Sequence, residues 1–269
     1  MASEVILITG ASSGIGQTCA SHLVSLGYVV YGTSRKAATG SEAKYIPLQM
    51  DVTDRQSVKQ GIASIIEQQG QIDAVVNNAG MGYMSVLEYA TEKEVRMQMD
   101  TNFMGVVNVC SEVLPHMRRR HRGKIINISS VGGVMGLPYQ GIYSASKFAV
   151  EGYSEALALE VARFGIKICL IEPSDFKTGF TANRPRPEIP VDDELYKSSL
   201  QRTSAIIVKE EESGKEPIVL AKLLAKILKR NNPRFRYPVG KFDQVLSVYL
   251  KRLIPTKWFL VVLRTYYKV

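Results

Sequence analysis

Residues 5–16 read Val-Ile-Leu-Ile-Thr-Gly-Ala-Ser-Ser-Gly-Ile-Gly, and this stretch decides the fold that the sequence predicts. Its four leading apolar residues are typical of a central parallel strand that is buried on both faces. The glycines that follow open a helix expected to run to about Leu26. A strand, a glycine-rich turn and a helix start together make a dinucleotide phosphate site. The spacing Gly-x-x-x-Gly-x-Gly differs from the more usual Gly-x-Gly-x-x-Gly, and a simple turn is the alternative interpretation.

Further apolar runs alternate with helical patterns along the chain, which predicts an α/β fold of the Rossmann type, a doubly wound parallel sheet. We expect about seven strands, with helices on both faces, in a single domain that spans residues 1–269. The expected strands lie at 5–8, 28–32, 45–50, 72–76, 124–128, 166–171 and 234–240. Ligands bind such sheets beyond the carboxyl ends of the strands, so residues that follow a strand are candidates for the site.

The second expected strand runs into Ser34, Arg35 and Lys36. In a dinucleotide-binding unit, the residues at this position contact the ribose of adenosine. An acidic residue here would bind the 2′-hydroxyl, whereas hydroxyl and basic side chains suit a 2′-phosphate through charge-assisted hydrogen bonds. The sequence therefore favours NADP over NAD, and a solvated basic turn is the alternative.

Candidate catalytic residues lie in residues 124–148, where a short apolar strand is followed by a glycine-rich loop and a helical segment. Tyr143 and Lys147 are four residues apart, so a helix would place both side chains on one face. The ammonium would lower the pKa of the phenol from about 10, and such a tyrosine can exchange a proton with a carbonyl or alcohol oxygen. Ser130 could aim its hydroxyl at the same oxygen. The alternative is a lysine stem packed on a tyrosine ring.

Polar residues also occur after the fourth expected strand and within the helical region that follows it. Asn77-Asn78-Ala79-Gly80 stands where the crevice of an open sheet is expected, although a plain turn is possible. Asn102 falls early in a long helical region that ends near Arg122. A buried asparagine inside a helix needs partners, so it is either a structural residue that satisfies backbone groups or a polar relay.

Composition and charge exclude several functional classes. Lys+Arg 34 against Asp+Glu 25 gives a net charge of +9, which suits nucleic acid, anionic lipid or a phosphorylated cofactor. The basic residues are dispersed and no binding motif for nucleic acid occurs, so we exclude nucleic acid. The cysteines and histidines lack metal-ligand spacing, which predicts no metal site and reduced buried thiols. We expect no signal peptide, no spanning helix and a cytoplasmic location.

These motifs together resemble the short-chain dehydrogenase/reductase family over roughly residues 4–180, and more loosely to Gly240. The resemblance rests on Thr9-Gly-x-x-x-Gly14-Ile15-Gly16, Asp51-Val52, Asn77-Asn78-Ala79-Gly80, Asn102, Ser130, Tyr143-x-x-x-Lys147 and Pro173 through Thr178. Each motif is modest alone, but their order and spacing are specific.

The resemblance implies a role for each matched residue. Tyr143 is implied as the acid in carbonyl reduction and the base in alcohol oxidation. Lys147 is implied to lower the pKa of Tyr143 and to hold the ribose of nicotinamide. Ser130 is implied to bind the substrate oxygen, and Asn102 to hold a water that relays protons to Lys147. The implied cofactor-binding residues are Gly10, Ser12, Ser13, Gly14, Ile15, Gly16, Ser34, Arg35, Lys36, Asp51, Val52, Asn78, Ala79, Gly80, Tyr143, Lys147, Pro173, Ser174, Phe176 and Thr178.

Two residues depart from the family pattern. Ser174 replaces a glycine that commonly follows Pro173, and this change need not disturb Thr178. Many NADP-dependent members carry a basic residue just before the middle glycine of the first turn, where this chain has Ser13. The expectation of NADP therefore rests on Arg35 and its neighbours.

The last third of the chain is expected to select the substrate. Residues 175–215 contain a proline-rich loop and a polar helix that would close over a substrate, although an insertion without a role is possible. Residues 241–269 predict two amphipathic helices with large aromatic side chains and the basic residues Lys257, Arg264 and Lys268. Such a segment suits the surface of an anionic membrane. Packing on the domain or on a subunit partner is the alternative.

These observations predict an NADP(H)-dependent oxidoreductase for a lipophilic carbonyl or alcohol. Within the family, the sequence is most similar to hydroxysteroid and retinol dehydrogenases and to 3-ketosphinganine reductases. This resemblance implies a long-chain 3-keto lipid such as 3-ketosphinganine as the most concrete candidate, with a steroid or retinoid as the other. The alternatives are an NADP-linked alcohol dehydrogenase and a catalytically silent NADP sensor; the set Ser130, Tyr143 and Lys147 argues against the sensor. The resemblance also implies a homodimer or homotetramer formed through the helices near 100–120 and 143–164.

Overall fold

The computed structural model describes residues 3–36, 44–179 and 194–269. Within this part of the chain, seven strands form one parallel sheet in the order β3-β2-β1-β4-β5-β6-β7. They are β1 (Val5–Ile8), β2 (Val29–Ser34), β3 (Ile46–Gln49), β4 (Ala74–Asn77), β5 (Gly123–Ile128), β6 (Ile166–Pro173) and β7 (Arg236–Val239). The chain starts in the middle of the sheet and winds first towards one edge and then towards the other. The predicted Rossmann-type α/β fold is confirmed.

Helices connect the strands and cover both faces of the sheet. They are α1 (Gly14–Ser25), α2 (Arg55–Gln69), α3 (Glu92–Met99), α4 (Gly105–Arg119), α5 (Gly141–Val161), α6 (Glu194–Glu212), α7 (Ile218–Lys229), α8 (Phe242–Leu253) and α9 (Thr256–Tyr267). A π-helical segment, Asp100–Met104, joins α3 to α4. Asp54 caps α2 by accepting a hydrogen bond from the backbone N–H of Gln56.

The strands run further towards the site than the apolar pattern predicts. β6 continues to Pro173, which lies opposite Val239 of β7. β2 extends to Ser34, which lies opposite Gln49 of β3. Backbone pairing continues past the last apolar side chain because the ladder needs only backbone groups. The polar residues at these strand ends are consequently held by the sheet rather than by loops.

Alternate residues of each strand belong to two separate hydrophobic cores, one on each face of the sheet. Leu7 of β1 belongs to the core that α2, α4 and α5 cover, with Val109 and Val150. Ile8 belongs to the core under α1 and α7, with Leu23 and Leu224. Because both faces are covered, the central strands are apolar throughout instead of alternating with polar residues.

The two C-terminal helices pack against the sheet domain through one side only. Val248 of α8 and Phe259 of α9 are buried together with Met135, and the Thr203 hydroxyl of α6 donates a hydrogen bond of 3.1 Å to the Tyr267 carbonyl. The prediction that residues 241–269 form two helices is confirmed. Within the described residues, no helix combines the length and the apolar character needed to cross a membrane. The proline-rich stretch at 181–190 lies outside the described residues.

Candidate active site

A cavity of about 850 Å³ lies beyond the carboxyl ends of the central strands. Its wall contains most of the residues that the sequence proposed. They are Gly10, Ser12, Ser13, Gly14, Ile15, Gly16, Ser34, Arg35, Asp51, Val52, Asn78, Ala79, Gly80, Ser130, Tyr143, Lys147, Pro173, Ser174, Phe176 and Thr178. Two proposed residues, Lys36 and Asn102, are not part of the wall. Residues separated by up to 168 positions are therefore brought to one cavity by the parallel sheet.

The glycine-rich turn is packed so closely that side chains would collide with its neighbours. Gly10 has φ +65, and a Cβ there would lie 2.8 Å from the Cα of Ala79. A Cβ on Gly16 would lie 2.3 Å from the carbonyl oxygen of Gly10. Asn78 holds the same turn, since its side-chain amide donates hydrogen bonds of 3.0 Å to the carbonyls of Thr9 and Gly10. This structural role of Asn78 was not predicted from the sequence.

The start of α1 forms the floor of one end of the cavity. Its N-cap residue, Ser13, has no side-chain capping hydrogen bond, so that hydroxyl does not occupy the N–H groups of the first turn. Gly14 has φ +55, and a Cβ there would lie 3.4 Å from the Thr178 side chain. Free N–H groups at a helix start, beside a glycine backbone, bind phosphate. This arrangement fits the pyrophosphate of a dinucleotide cofactor.

The end of β2 presents a basic side chain to the same cavity. The Ser34 hydroxyl donates a hydrogen bond of 2.5 Å to the Lys36 carbonyl, which shapes the turn after the strand. Gln49 donates a hydrogen bond of 3.1 Å to the Arg35 carbonyl. Arg35 is exposed on the cavity wall, whereas Lys36 is exposed away from it. Asp51, opposite, is turned towards Thr53 and accepts hydrogen bonds from its N–H and hydroxyl.

Ser130 and Tyr143 converge over a glycine in the loop after β5. A Cβ on Gly132 would lie 3.2 Å from the Tyr143 ring and 3.4 Å from the Ser130 hydroxyl oxygen. That hydroxyl accepts a hydrogen bond of 3.0 Å from the Gly132 N–H. Both side chains line the cavity, one at the end of a strand and the other in the first turn of α5. Two side chains that carry hydroxyl groups thus lie close together in one cavity.

Lys147 lies one turn after Tyr143 on α5 and is buried. Its ammonium donates a hydrogen bond of 2.8 Å to the Ile128 carbonyl and lies 5.9 Å from the centre of the Tyr143 ring. Burial lowers the pKa of Lys147 to about 8, and the charge of Glu151 acts in the opposite direction. With this pKa, roughly nine-tenths of the side chain is charged at pH 7. The predicted pairing of a cation with a phenol is present.

An ion cluster behind Lys147 was not predicted from the sequence. Arg236 of β7 pairs with Glu151 and Glu155 of α5, and its guanidinium lies 2.7 Å from Glu172 of β6. Glu151 and Glu172 are buried, and each keeps one carboxylate oxygen without a hydrogen-bond partner among the described residues. Burial raises the pKa of Glu151 and the guanidinium opposes that shift. The sequence signal that could have indicated this cluster is the position of Glu151, four residues after Lys147 and therefore on the same face of a helix.

Asn102 stands in the π-helical segment, away from the cavity. Its side-chain amide donates hydrogen bonds to the Met81 carbonyl (2.9 Å) and the Ser146 hydroxyl (3.0 Å), and its oxygen accepts one from the Met81 N–H (2.8 Å). Two roles were expected for a buried asparagine, a structural one and a polar relay. Asn102 has the structural role, since its side chain satisfies backbone groups. A Cβ on Gly80 would lie within 4 Å of both Asn102 and the Lys147 ammonium, so the two residues are neighbours.

Ser174, the first departure from the family pattern, has a clear structural role. Its hydroxyl accepts a hydrogen bond of 2.9 Å from the Lys241 N–H, which ties the end of β6 to the start of α8. Gly240, between them, has φ +142, and a Cβ there would collide with the Ser174 hydroxyl. Ser174 therefore requires a residue without a Cβ at position 240, 66 positions later.

The other end of the cavity is built largely by α8 and α9, which the sequence did not indicate. Their apolar contributions are Leu250, Ile254, Phe259, Val262 and Leu263, and Met135 and Leu137 complete this side. Acidic side chains stand next to this apolar wall: Asp175, Glu210, Glu211 and Asp243. Burial raises the pKa of Asp175 to about 6 despite a hydrogen bond from Gln244. Lys241 pairs with Glu210 at 2.5 Å.

Comparison with known proteins assigns this arrangement to a family. Residues 4–188 match the family model described as short chain dehydrogenase. The chain belongs to the short-chain dehydrogenase/reductase family. This short-chain dehydrogenase is accordingly an oxidoreductase that acts on alcohol or carbonyl groups, and members of its family bind NAD or NADP.

Three relatives indicate where the chain lies within the family. The "3-ketodihydrosphingosine reductase" of Bacteroides thetaiotaomicron is 54% identical over 269 residues, and the match covers 100% of both chains. The human "17-beta-hydroxysteroid dehydrogenase type 1" is 40% identical, over 67% of this chain and 59% of its own length. A solved short-chain dehydrogenase from Streptomyces avermitilis has a TM-score of 0.81 at 30% identity, covering 94% of this chain and 93% of that one. The predicted resemblance to sphingoid-ketone reductases and hydroxysteroid dehydrogenases is confirmed.

Proposed function

We propose that the protein reduces the 3-keto group of a long-chain amino ketone of the 3-ketodihydrosphingosine type, with NADPH as the reductant. The observation that carries this proposal is the composition of the cavity wall. Tyr143 and Ser130 share one cavity with the apolar side chains of α8 and α9 and with several carboxylates. A long apolar chain, a keto oxygen and an ammonium group each have matching residues in that cavity.

In this proposal, Tyr143 donates its phenolic proton to the keto oxygen as that oxygen gains charge. Ser130 donates a hydrogen bond to the same oxygen and holds it in place. Lys147, held by the Ile128 carbonyl, places its positive charge beside the phenol and favours loss of the proton. Asn102 keeps the backbone at Met81 in position, and relay of protons to Lys147 remains its proposed second role. A bound nicotinamide supplies the hydride to the carbonyl carbon.

The cofactor is proposed to be NADP(H) because of Arg35. This side chain is exposed on the cavity wall at the end of β2, where the ribose of adenosine is expected. A guanidinium can bind a 2′-phosphate through two parallel hydrogen bonds. The other proposed contacts are the glycine turn and the start of α1 for the pyrophosphate, Asp51 and Val52 for the adenine, and Thr178 for the carboxamide.

The acidic part of the wall favours an amino ketone over a steroid or a retinoid. Asp175 and Asp243 flank Gln244 at the start of α8, and Glu211 lies on α6 nearby on the same wall. With a pKa of about 6, Asp175 is mostly ionised at pH 7 and can attract an ammonium group. A steroid or retinoid carries no cation and would leave these carboxylates unused.

We also propose how the chain is organised around this reaction. Residues 1–269 act as one catalytic unit, in which the described parts of the expected substrate region, 175–179 and 194–215, and residues 241–269 supply the wall. Pairing of two or four copies is proposed through α4 and α5. Met104, just before α4, together with Phe148 and Leu159 of α5, exposes apolar surface that such pairing would cover.

A substrate panel tests the proposal. Oxidation of NADPH is followed with 3-ketodihydrosphingosine, the same ketone without its amino group, a steroid ketone and retinal. We expect the highest kcat/KM for the amino ketone, and no turnover by Tyr143→Phe although its affinity for NADPH is preserved. Higher kcat/KM for the steroid or retinal would refute the substrate class. Binding of NADPH without turnover of any ketone would favour the silent sensor, and efficient oxidation of the amino alcohol with NADP would favour the dehydrogenase direction.

A further inference from the structure

Helices α8 and α9 turn a second, outward side away from the domain, and this side is unusually apolar. Val248 and Phe259 (1% exposed) anchor the helices inwards. Outwards, Leu253 is 78% exposed and Trp258 is 64% exposed. We call the outward set the C-terminal apolar face; it comprises Phe242, Leu246, Tyr249, Leu250, Leu253, Trp258, Leu260, Val261, Val262 and Tyr266. Large exposed apolar surfaces mark sites of contact with another molecule or a membrane.

Basic residues accompany this face. Residues 242–269 contain five basic residues and a single acidic one, Asp243; the basic residues are Lys251, Arg252, Lys257, Arg264 and Lys268. Four of these basic side chains, all except Lys251, are exposed. Exposed aromatic and aliphatic side chains with basic neighbours match an anionic lipid surface, because the apolar groups enter the acyl boundary and the cations meet the headgroups. A second copy of this chain would instead bring positive charge against positive charge.

The C-terminal apolar face is continuous with the interior of the cavity. Leu250, Val262 and Tyr266 are each at least 38% exposed and also line the cavity. An apolar chain could therefore pass from the outer surface to the inner wall along the same side chains without crossing water. The continuity links a lipid surface to the position of Tyr143.

We propose that the C-terminal apolar face docks on an anionic lipid bilayer, and that the substrate passes from the bilayer into the cavity by way of Leu250, Val262 and Tyr266. The docking step stands on the surface of α8 and α9 alone. The entry step rests on the proposed function, since it requires a lipid substrate. Both helices lie along the membrane in this arrangement and do not cross it.

The fluorescence of Trp258 can report docking, because Trp258 is the only tryptophan in the chain. With the full chain, we expect vesicles of phosphatidylglycerol and phosphatidylcholine to shift its emission to the blue and to protect it from acrylamide. Vesicles of phosphatidylcholine alone should do neither. Leu253→Asn and Arg252→Glu should each lower co-sedimentation with the anionic vesicles at least tenfold. Lys59→Glu, on an exposed position of α2, is the matched charge control and should co-sediment like the unaltered protein.

Three results would overturn the docking step. The first is equal binding of both vesicle types, and the second is binding that Arg252→Glu and Leu253→Asn leave unchanged. The third is a blue shift that depends on protein concentration without vesicles, which would assign the face to a second copy of this chain.

The entry step has its own measurement. Leu253 does not line the cavity, so Leu253→Asn should lower kcat/KM for a long-chain amino ketone held in vesicles while leaving that for a short, water-soluble amino ketone unchanged. An equal loss for both ketones, or no loss for either, would refute entry from the bilayer. If neither ketone is reduced but the Trp258 shift persists, the proposed substrate class fails and the docking step stands.

Discussion

Replacing Glu151 by glutamine should take the charge away from Lys147 at neutral pH. The two side chains are one helical turn apart, and the carboxylate opposes the lowering of the Lys147 pKa by burial. Residues four apart on a helix lie about 6 Å from each other. At that separation and an effective dielectric constant of about 20, the attraction is at most about 2.8 kcal/mol, because Arg236 also pairs with Glu151 and offsets part of its charge.

The expected consequence is a change in the pH profile. In the unaltered protein, kcat should fall as the pH rises through about 8, the pKa of Lys147, because the neutral amine no longer favours loss of the phenolic proton. In Glu151→Gln, this fall should begin at a clearly lower pH, because the carboxylate no longer opposes the lowering of the Lys147 pKa by burial. Glu155→Gln is the matched control, because Glu155 also pairs with Arg236 but its side chain is 60% exposed.

The pKa of Lys147 can also be measured without turnover. Lysine labelled with ¹³C at Cε gives one signal per side chain, and Lys147→Met identifies the signal that belongs to Lys147. We expect that signal to titrate near pH 8 in the unaltered protein and at a clearly lower pH in Glu151→Gln. If the two proteins titrate alike, Glu151 carries no charge in the folded protein, and the electrostatic reasoning is wrong.

Three further predictions follow from the same geometry. Arg236→Met should lower the free energy of unfolding by about 3–5 kcal/mol in urea denaturation, since it leaves two buried carboxylates unpaired; a loss no larger than that of the exposed control Arg234→Met would contradict this. Arg35→Asp should raise the Kd of NADPH about 10- to 100-fold, because charge-assisted hydrogen bonds to the 2′-phosphate are lost, and should have little effect on the Kd of NADH. Equal effects on the two cofactors would show that Arg35 does not bind the 2′-phosphate. As the pH falls through about 6, Asp175 takes up a proton and loses its charge, so the KM for the amino ketone should rise; a parallel rise for the ketone without the amino group would exclude this role.

The sequence was sufficient for the sheet and for the residues at its strand ends. Apolar runs of four to six residues identify strands buried on both faces, and the glycines of the first turn identify where a phosphate can approach the backbone. Tyr143 and Lys147 could be placed on one face because helical spacing is a local property. These predictions hold because each depends on neighbours in the sequence.

Contacts between distant segments could not be predicted in the same way. Arg236 follows Glu151 by 85 residues, and nothing local to either residue indicates that β7 will lie beside β6 and α5. The burial of Phe259 also depends on Met135, so its amphipathic pattern alone could not separate packing on the domain from exposure. Packing on the domain is confirmed for one side of the C-terminal helices. Membrane contact through the exposed side stays a prediction.

The hydrogen bond from the Lys241 N–H to Ser174 marks a natural junction in the chain. The groups proposed for proton transfer and nucleotide binding all precede it, whereas α8 and α9, which follow it, form much of the apolar wall. Selectivity could therefore change by exchange of one terminal segment while the chemistry stays intact. Grafting a different ending after Gly240 would offer a direct way to redesign which substrates this oxidoreductase accepts.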